Sequence, residues 1–253
     1  KTNVLNEEID TAYRAEIKAE IDEHWAITQG EPDVIADLTE ELNDMYKPYD
    51  FEEFKHSEEV ENIRVVDAIS NALRQSMERH DNLVIMGQDI AEYGGAFKIT
   101  DGFVEAFGRD RIRNTPICES AIVGAALGLS MEGMKSVVEM QFADFVTVAF
   151  NQIVNNLAKM HYRWGQNADV VVRMPTGGGV GAGPFHSQSN EAWFTHVPGL
   201  KVVYPSNPTD AKGLLIAALA EPNPILYFEH KALYRSIEEE IPDAMYQIEI
   251  GKA

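Results

Sequence analysis

At 253 residues and 45% apolar composition, the chain is long enough for one sizeable core, or one core and a small appendage. A formal charge of −20 argues against nucleic acid as a ligand, because phosphate binding rests on clustered Lys and Arg, and a single cysteine, Cys118, excludes an internal disulfide framework or a cysteine cluster for zinc. No run approaches the ~18 apolar residues of a membrane span, and the opening KTNVLNEEID has neither the basic start nor the apolar stretch of a secretory signal, so a soluble, cytoplasmic protein in a reducing environment is expected.

The charge is unevenly spread. Residues 1–62 hold 19 acidic against 5 basic side chains, which sets them apart from the remainder. Within them Ile9, Tyr13, Ile17, Ile21 and Trp25 recur at four-residue spacing, an amphipathic helical stripe with Asn6 as its cap and Gly30, Glu31 and Pro32 as its stop. A second short helix is expected within 33–46, followed by an acidic, aromatic-dotted linker, YKPYDFEEFKHSEEVENI. From Ile63 helices alternate with short apolar runs, the pattern of a three-layer α/β/α domain with a mainly parallel sheet, expected over 63–240. Helices are expected at 65–80, 119–133, 144–162 and 208–221. Strands are expected at 82–89, 135–141, 169–175, 200–206 and 224–229, each so continuously apolar that both faces must be covered. Ligands of such sheets sit beyond the carboxyl ends of the strands, which directs attention to the turns after Asp89, Gln141, Pro175 and Ser206.

The turn after Pro175 is the most unusual: MPTGGGVGAGPFHSQS. It fits neither GxGxxG nor the P-loop spacing, and no lysine follows for a phosphate. Glycine then serves either positive φ angles and close backbone approach to a ligand or a second chain, or mere flexibility. His186 at its end suits proton transfer near neutrality, or is a structural loop histidine. Glu119 stands where the strand-like RIRNTPI gives way to the helix AIVGAALGLSMEG; it is either a capping acid or, among Ile117, Ala121, Ile122 and Val123, a partly desolvated carboxyl able to exchange a proton. Phe142, Phe145 and Phe150 are core aromatics, or one of them stacks on a planar ligand.

The order NTPICESAIVGAALG, VVEMQFADF, GAGPFHSQSNEAWFTHVPGLKVVYPSNPTDAKGLL and PNPILYFEHKALYR closely resembles the beta subunit of the decarboxylating first component of 2-oxo acid dehydrogenase complexes, thiamine-diphosphate enzymes of the transketolase superfamily. The likeness runs from Val65 to Arg235. QFADF and FHSQSNEAWF look most like the branched-chain (2-oxoisovalerate) members, with pyruvate and acetoin dehydrogenases close by. Residues 1–50 resemble instead the C-terminal tail of the alpha subunit, which implies a fused alpha–beta polypeptide of which this chain is a middle piece. Residues 241–253 would then begin a linker to a C-terminal domain.

The resemblance implies the thiamine-diphosphate-binding fold, pyrimidine domain, and roles for residues already singled out. Glu119 would hydrogen-bond a ring nitrogen of the cofactor's aminopyrimidine and promote the tautomer that takes the thiazolium proton; Phe145 would pack on that ring, with Gln141 beside the cofactor. His186 would bind or protonate intermediates, including during acyl transfer to a lipoyl domain, and the glycine loop would carry it around a subunit contact. Two departures stand out. Gln88 replaces the glutamate that many relatives use in an acidic link between paired sites. No Gly-Asp-Gly is present, so magnesium and the diphosphate would be held by an alpha-type domain. A structural potassium ion is implied near Glu221 and Asn223, homo-oligomerisation is implied, and the chain alone is expected to bind cofactor weakly and turn nothing over.

Overall fold

The computed structural model describes residues 6–54 and 57–252; residues 1–5 and 253, together with Lys55 and His56 of the expected linker, lie outside the described residues. The chain divides into two compact units, Lys1–Glu41 and Leu42–Ala253. In the first, helix α1 spans Glu7–Gln29, and the Asn6 side chain caps it by accepting from the Ile9 amide. No residue of α1 is buried: Tyr13, Ile17, Ile21 and Trp25 are all exposed. The short helix α2 covers Leu38–Asp44, inside the range its pattern predicts.

In the second unit, six parallel strands form one sheet in the order β3-β2-β4-β5-β7-β6: β2 Leu83–Gly87, β3 Ile112–Asn114, β4 Lys135–Glu139, β5 Val170–Thr176, β6 Lys201–Val203 and β7 Ile225–His230. Parallel pairing requires a crossover between strands, and the helices supply it, burying both faces. Side chains alternate along each strand. Ile85, Val137, Val171 and Tyr227 enter a core with α3 (Val65–Arg79) and α8 (Pro208–Ala220). Their neighbours Val84, Val138, Val172 and Phe228 enter a second core with α5 (Glu119–Met131), α6 (Val146–Asn151) and α7 (Ala158–Trp164). The layers are α/β/α, as the alternation predicts. A short helix, α4, occupies Phe103–Phe107, and a separate antiparallel pair joins β1 (Val60–Arg64) to β8 (Glu238–Pro242).

The divisions at 62/63 and 240/241 do not coincide with the compact units. Residues 42–54 pack along the α/β unit: Tyr46 Oη donates to the Leu200 carbonyl at 3.2 Å, and Asn223 exchanges two 2.9 Å hydrogen bonds with the Lys47 backbone. The segment expected as a linker at 241–253 packs on α8, where Ile248 N donates to Gly213 O at 3.2 Å and Tyr246 Oη to Thr209 O at 2.9 Å. A Cβ on Gly213 would lie 2.7 Å from Ile248, so glycine there is a packing requirement. The helix expected over 144–162 is interrupted: a 3₁₀ turn, Ala143–Phe145, precedes α6, and a π stretch, Gln152–Leu157, separates α6 from α7. Gln152 lies across Gly124 of α5 and bonds Asn156, contacts between polar side chains that periodicity does not register. Beyond the glycine-rich loop, Glu191–Trp193 form a single 3₁₀ turn.

Candidate active site

The parallel strands all deliver their carboxyl ends to one edge of the sheet, and Glu119, Gln141, Phe145 and His186 follow β3, β4 and β5 at that edge, whereas Glu221 and Asn223 stand between α8 and the start of β7. Glu119 opens α5 and is 5% exposed; its Oε1 accepts from Gln88 Nε2 at 3.0 Å, just past the end of β2. The apolar cage expected around it is half absent, because Ile117 is 84% exposed and Ala121 is also open to solvent. Ile122 and Val123 are buried, and the amide of Gln88 supplies the rest of the enclosure. Gln88 therefore presents a donor to Glu119 where an acid would present a second negative charge.

Past β4, Phe142 precedes the 3₁₀ turn and Phe145 ends it, and the two hold the imidazole of His186 edge-on between them, at centroid separations of 4.7 and 5.4 Å. Gln141 Nε2 donates to Asp89 Oδ2 at 3.1 Å and so ties the turn after β4 to the turn after β2. Glu119 and Phe145 begin helices that leave the same sheet edge, and α5 packs against α6 in the second core. The residues thus fall into two adjoining groups, Glu119 with Gln88 and His186 with Phe142 and Phe145.

The glycine-rich loop after β5 has a definite geometry. Gly177, Gly179, Gly181 and Gly183 all have φ between +69° and +110°, the left-handed region closed to most side chains. At Gly177 a Cβ would also lie 2.6 Å from Nε2 of His230, so the close backbone approach inferred for this loop is met first within the chain itself. Asp144, 5% exposed, accepts from the amides of both Ser187 and Gln188 at 3.2 Å, and Asn190 Nδ2 donates to Ala143 O at 2.9 Å. These bonds join the 3₁₀ turn to the end of the loop that bears His186.

The potassium position implied near Glu221 and Asn223 has other occupants. Glu221 Oε1 accepts from the Lys201 ammonium and from Asn223 Nδ2, and Asn223 is bonded at both ends to the Lys47 backbone. Those side-chain oxygens are thus engaged within the chain. Among the described residues no group of three or more His, Cys, Asp or Glu side chains is placed to hold a metal ion. The chemistry of the edge fits a flat, hydrogen-bonding ring instead: a buried carboxyl, an imidazole whose buried Nδ1 has no protein partner, and two aromatic faces.

Residues 61–236 match the family described as transketolase, pyrimidine binding domain. The chain belongs to that family. Its pyrimidine-binding domain is 48% identical over 190 residues to the 2-oxoisovalerate dehydrogenase subunit beta of Bacillus subtilis (strain 168), covering 74% of this chain and 58% of that protein. It is 42% identical over 191 residues to the pyruvate dehydrogenase E1 component subunit beta of Staphylococcus epidermidis, covering 75% of this chain and 59% of that protein. The chain therefore spans well under two thirds of these relatives' length. The fold is shared with a split-gene transketolase solved as an inactive beta4 tetramer, at a TM-score of 0.57 and 21% identity over 73% of this chain and 56% of that one.

Several buried residues near this sheet edge escape sequence reasoning. Arg173, 0% exposed, makes a bidentate pair with Glu229 at 2.7 and 2.8 Å and a third bond to Glu139 at 2.7 Å, while Tyr234 Oη donates to Glu229 at 2.5 Å. Burial pushes the Glu139 carboxyl up, Arg173 draws it back, and Glu229 adds to the rise. Burial also opposes the Arg173 charge, but Glu229 and Glu139 together raise its pKa further. A signal for this cluster exists: VVEMQ, VVVRMP and LYFEH each carry one charge within an apolar strand, and a strand buried on both faces tolerates an arginine only beside carboxylates. Lys231 is 5% exposed, its Nζ without a hydrogen-bond partner 5.3 Å from the Phe142 ring; no spacing announces it.

Proposed function

We propose that this chain supplies the pyrimidine-binding half of the active site of a thiamine-diphosphate-dependent 2-oxo acid dehydrogenase, decarboxylating and acyl-transferring, with branched-chain 2-oxo acids such as 2-oxoisovalerate as substrates. The observation that carries the reading is Glu119: a carboxyl buried to 95%, held by Gln88 at 3.0 Å, at the edge where Phe145 and His186 gather. Thiamine diphosphate, when bound, supplies the electron sink that loss of carbon dioxide requires. Glu119 would hold and exchange a proton with a ring nitrogen of that cofactor, with the Gln88 amide, which donates to its Oε1, keeping the carboxyl oriented. Phe145 and Phe142 offer ring edges and faces that favour a planar group and exclude water. His186, whose Nδ1 is buried without a hydrogen-bond partner among the described residues, would hold or release a proton for bound intermediates. Magnesium and the diphosphate fall to an alpha-type domain, from the same parent polypeptide or a second copy, in a homo-oligomer that passes its product to a lipoyl domain.

The test is Glu119→Gln in the assembled, full-length enzyme. The amide keeps a partner for Gln88 and the fold but cannot exchange the proton, so turnover is expected to fall by at least ~10²- to 10⁴-fold, the usual scale of acid–base catalysis. Retention of turnover above about a tenth of wild type would remove the reading. Parallel assays with 2-oxoisovalerate and pyruvate decide the substrate, with the higher kcat/KM expected for 2-oxoisovalerate. This chain alone is expected to decarboxylate neither.

A further inference from the structure

Three buried polar atoms near the end of β4 have no hydrogen-bond partner among the described residues: Asp144 Oδ2, and, beside the Phe142 ring, His186 Nδ1 and Lys231 Nζ. Asp144 spends its other oxygen, Oδ1, on the amides of Ser187 and Gln188, the two residues that follow His186, both at 3.2 Å. A carboxylate facing two consecutive amides is an anion in a backbone cradle, and such charge-assisted bonds are about twice as strong as neutral ones. The nearby positive charge is Lys231: its pKa is lowered by burial, and Asp144 opposes that shift. The Lys231 ammonium rests above the Phe142 ring, so the aromatic that contacts His186 on one side meets a cation on another.

We propose that Asp144 is a positioning residue for His186, fixing the imidazole between Phe142 and Phe145 through the Ser187 and Gln188 amides. The proposal deepens the reading above and rests on it only for its catalytic consequence. The glycines of the preceding loop explain why a staple is needed. Four left-handed glycines between Gly177 and Gly183 lose more conformational entropy on ordering than any other residue type, so the loop requires a fixed far end to place His186 reproducibly. Asp144, with Asn190 anchoring Ala143, provides that end.

Asp144→Asn preserves shape and an accepting oxygen but removes the charge, whereas Asp144→Ala removes both. On the whole chain, amide hydrogen exchange at Ser187 and Gln188 is expected to quicken ~10-fold in Asp144→Asn and ~100-fold in Asp144→Ala, with β5 amides unchanged. In the assembled enzyme the same order is expected as a loss of kcat, with KM for the 2-oxo acid changed by less than about twofold, because orientation rather than binding is lost. Wild-type exchange in Asp144→Ala overturns the staple. Wild-type exchange in Asp144→Asn overturns the part assigned to charge, and faster exchange with undiminished kcat overturns the positioning of a working histidine. A silent Glu119→Gln would instead remove the cofactor reading while leaving the exchange results standing.

Discussion

Replacing Arg173 by methionine removes a guanidinium while nearly conserving volume, and tests the buried charge cluster under the functional edge. The variant loses three hydrogen bonds of 2.7–2.8 Å and leaves two carboxylates, of Glu139 and Glu229, with side chains 4% and 0% exposed. Breaking a buried pair on one side costs about 3–5 kcal/mol, because the remaining charge is stranded. For a unit of this size each kcal/mol shifts Tm by ~2–4 °C, so a fall of roughly 6–20 °C at pH 7 is expected in a thermal scan. The deficit must also depend on pH. Burial already raises the Glu139 pKa, and without Arg173 the lowering contribution is gone. A carboxyl with a raised folded-state pKa binds its proton more tightly in the native state than in the unfolded one, so stability falls as pH rises between the unfolded and folded pKa values. The gap between variant and wild type should therefore narrow from pH 8 to pH 5 as the stranded carboxylates take up protons. Glu139→Gln leaves Arg173 and Glu229 as a balanced pair and should cost no more than ~1.5 kcal/mol. A deficit below ~1 kcal/mol for Arg173→Met, or one constant from pH 5 to pH 8, would refute the reasoning.

Gly199→Ala places a Cβ 1.8 Å from the Ala158 carbonyl oxygen at φ +88°; it is expected to destabilise by more than ~3 kcal/mol in urea melts, since backbone rather than a side chain must yield. Gly177→Ala, at φ +79° and 2.6 Å from the His230 ring, should cost ~1–3 kcal/mol and lower turnover of the assembled enzyme, measured as kcat, because the loop bearing His186 must be re-laid. The pKa of His80 is pushed down to about 4, by burial first and then by Lys135, Arg79 and Arg111. The unfolded chain binds that proton more readily, so stability should rise with pH from about 4 to about 6.5, and His80→Gln should flatten this limb of a Tm-against-pH curve.

The architecture was legible because the parallel sheet writes itself in apolar runs: LVIMG, VVVRMPT and ILYFE are buried along almost their whole length, and Asn207, read only as preceding a helix, caps α8 by accepting from the Asp210 amide. The ends of elements were less legible. Periodicity continued a helix through 144–162 because Val146, Ala149, Ile153 and Leu157 keep a buried stripe across the π stretch, where one extra residue per turn leaves the pattern almost intact. The stretches 46–63 and 241–253 read as linkers because contacts that hold them are polar and distant in sequence, Lys47 to Asn223 and Tyr49 to Gln247. In the site, Glu119 and His186 were legible from residue type and place beyond a strand. The place of Asp144 was not, because it depends on which backbone amides lie beside it, those of Ser187 and Gln188.

Strand parity divides what the site residues can do. Gln88 continues the side of β2 that carries Val84 and Met86, so it and Glu119 belong to the α5 face of the sheet. Glu139, Arg173 and Glu229 continue the side of Val137, Val171 and Tyr227, so the charge cluster lies on the α3 and α8 face. The cluster is therefore not a second proton store for Glu119, despite standing at the same sheet edge. Its route to the edge is aromatic: Tyr234, bonded to Glu229, packs 5.1 Å from Phe97, and Phe97 packs 5.7 Å from Phe142, which contacts His186. Gly95, whose φ is +79°, lets the loop bearing Phe97 settle over Glu139, since a Cβ there would lie 3.2 Å from its carboxylate oxygen. Neutralising the cluster should thus be felt at His186 through packing, and at Glu119 hardly at all.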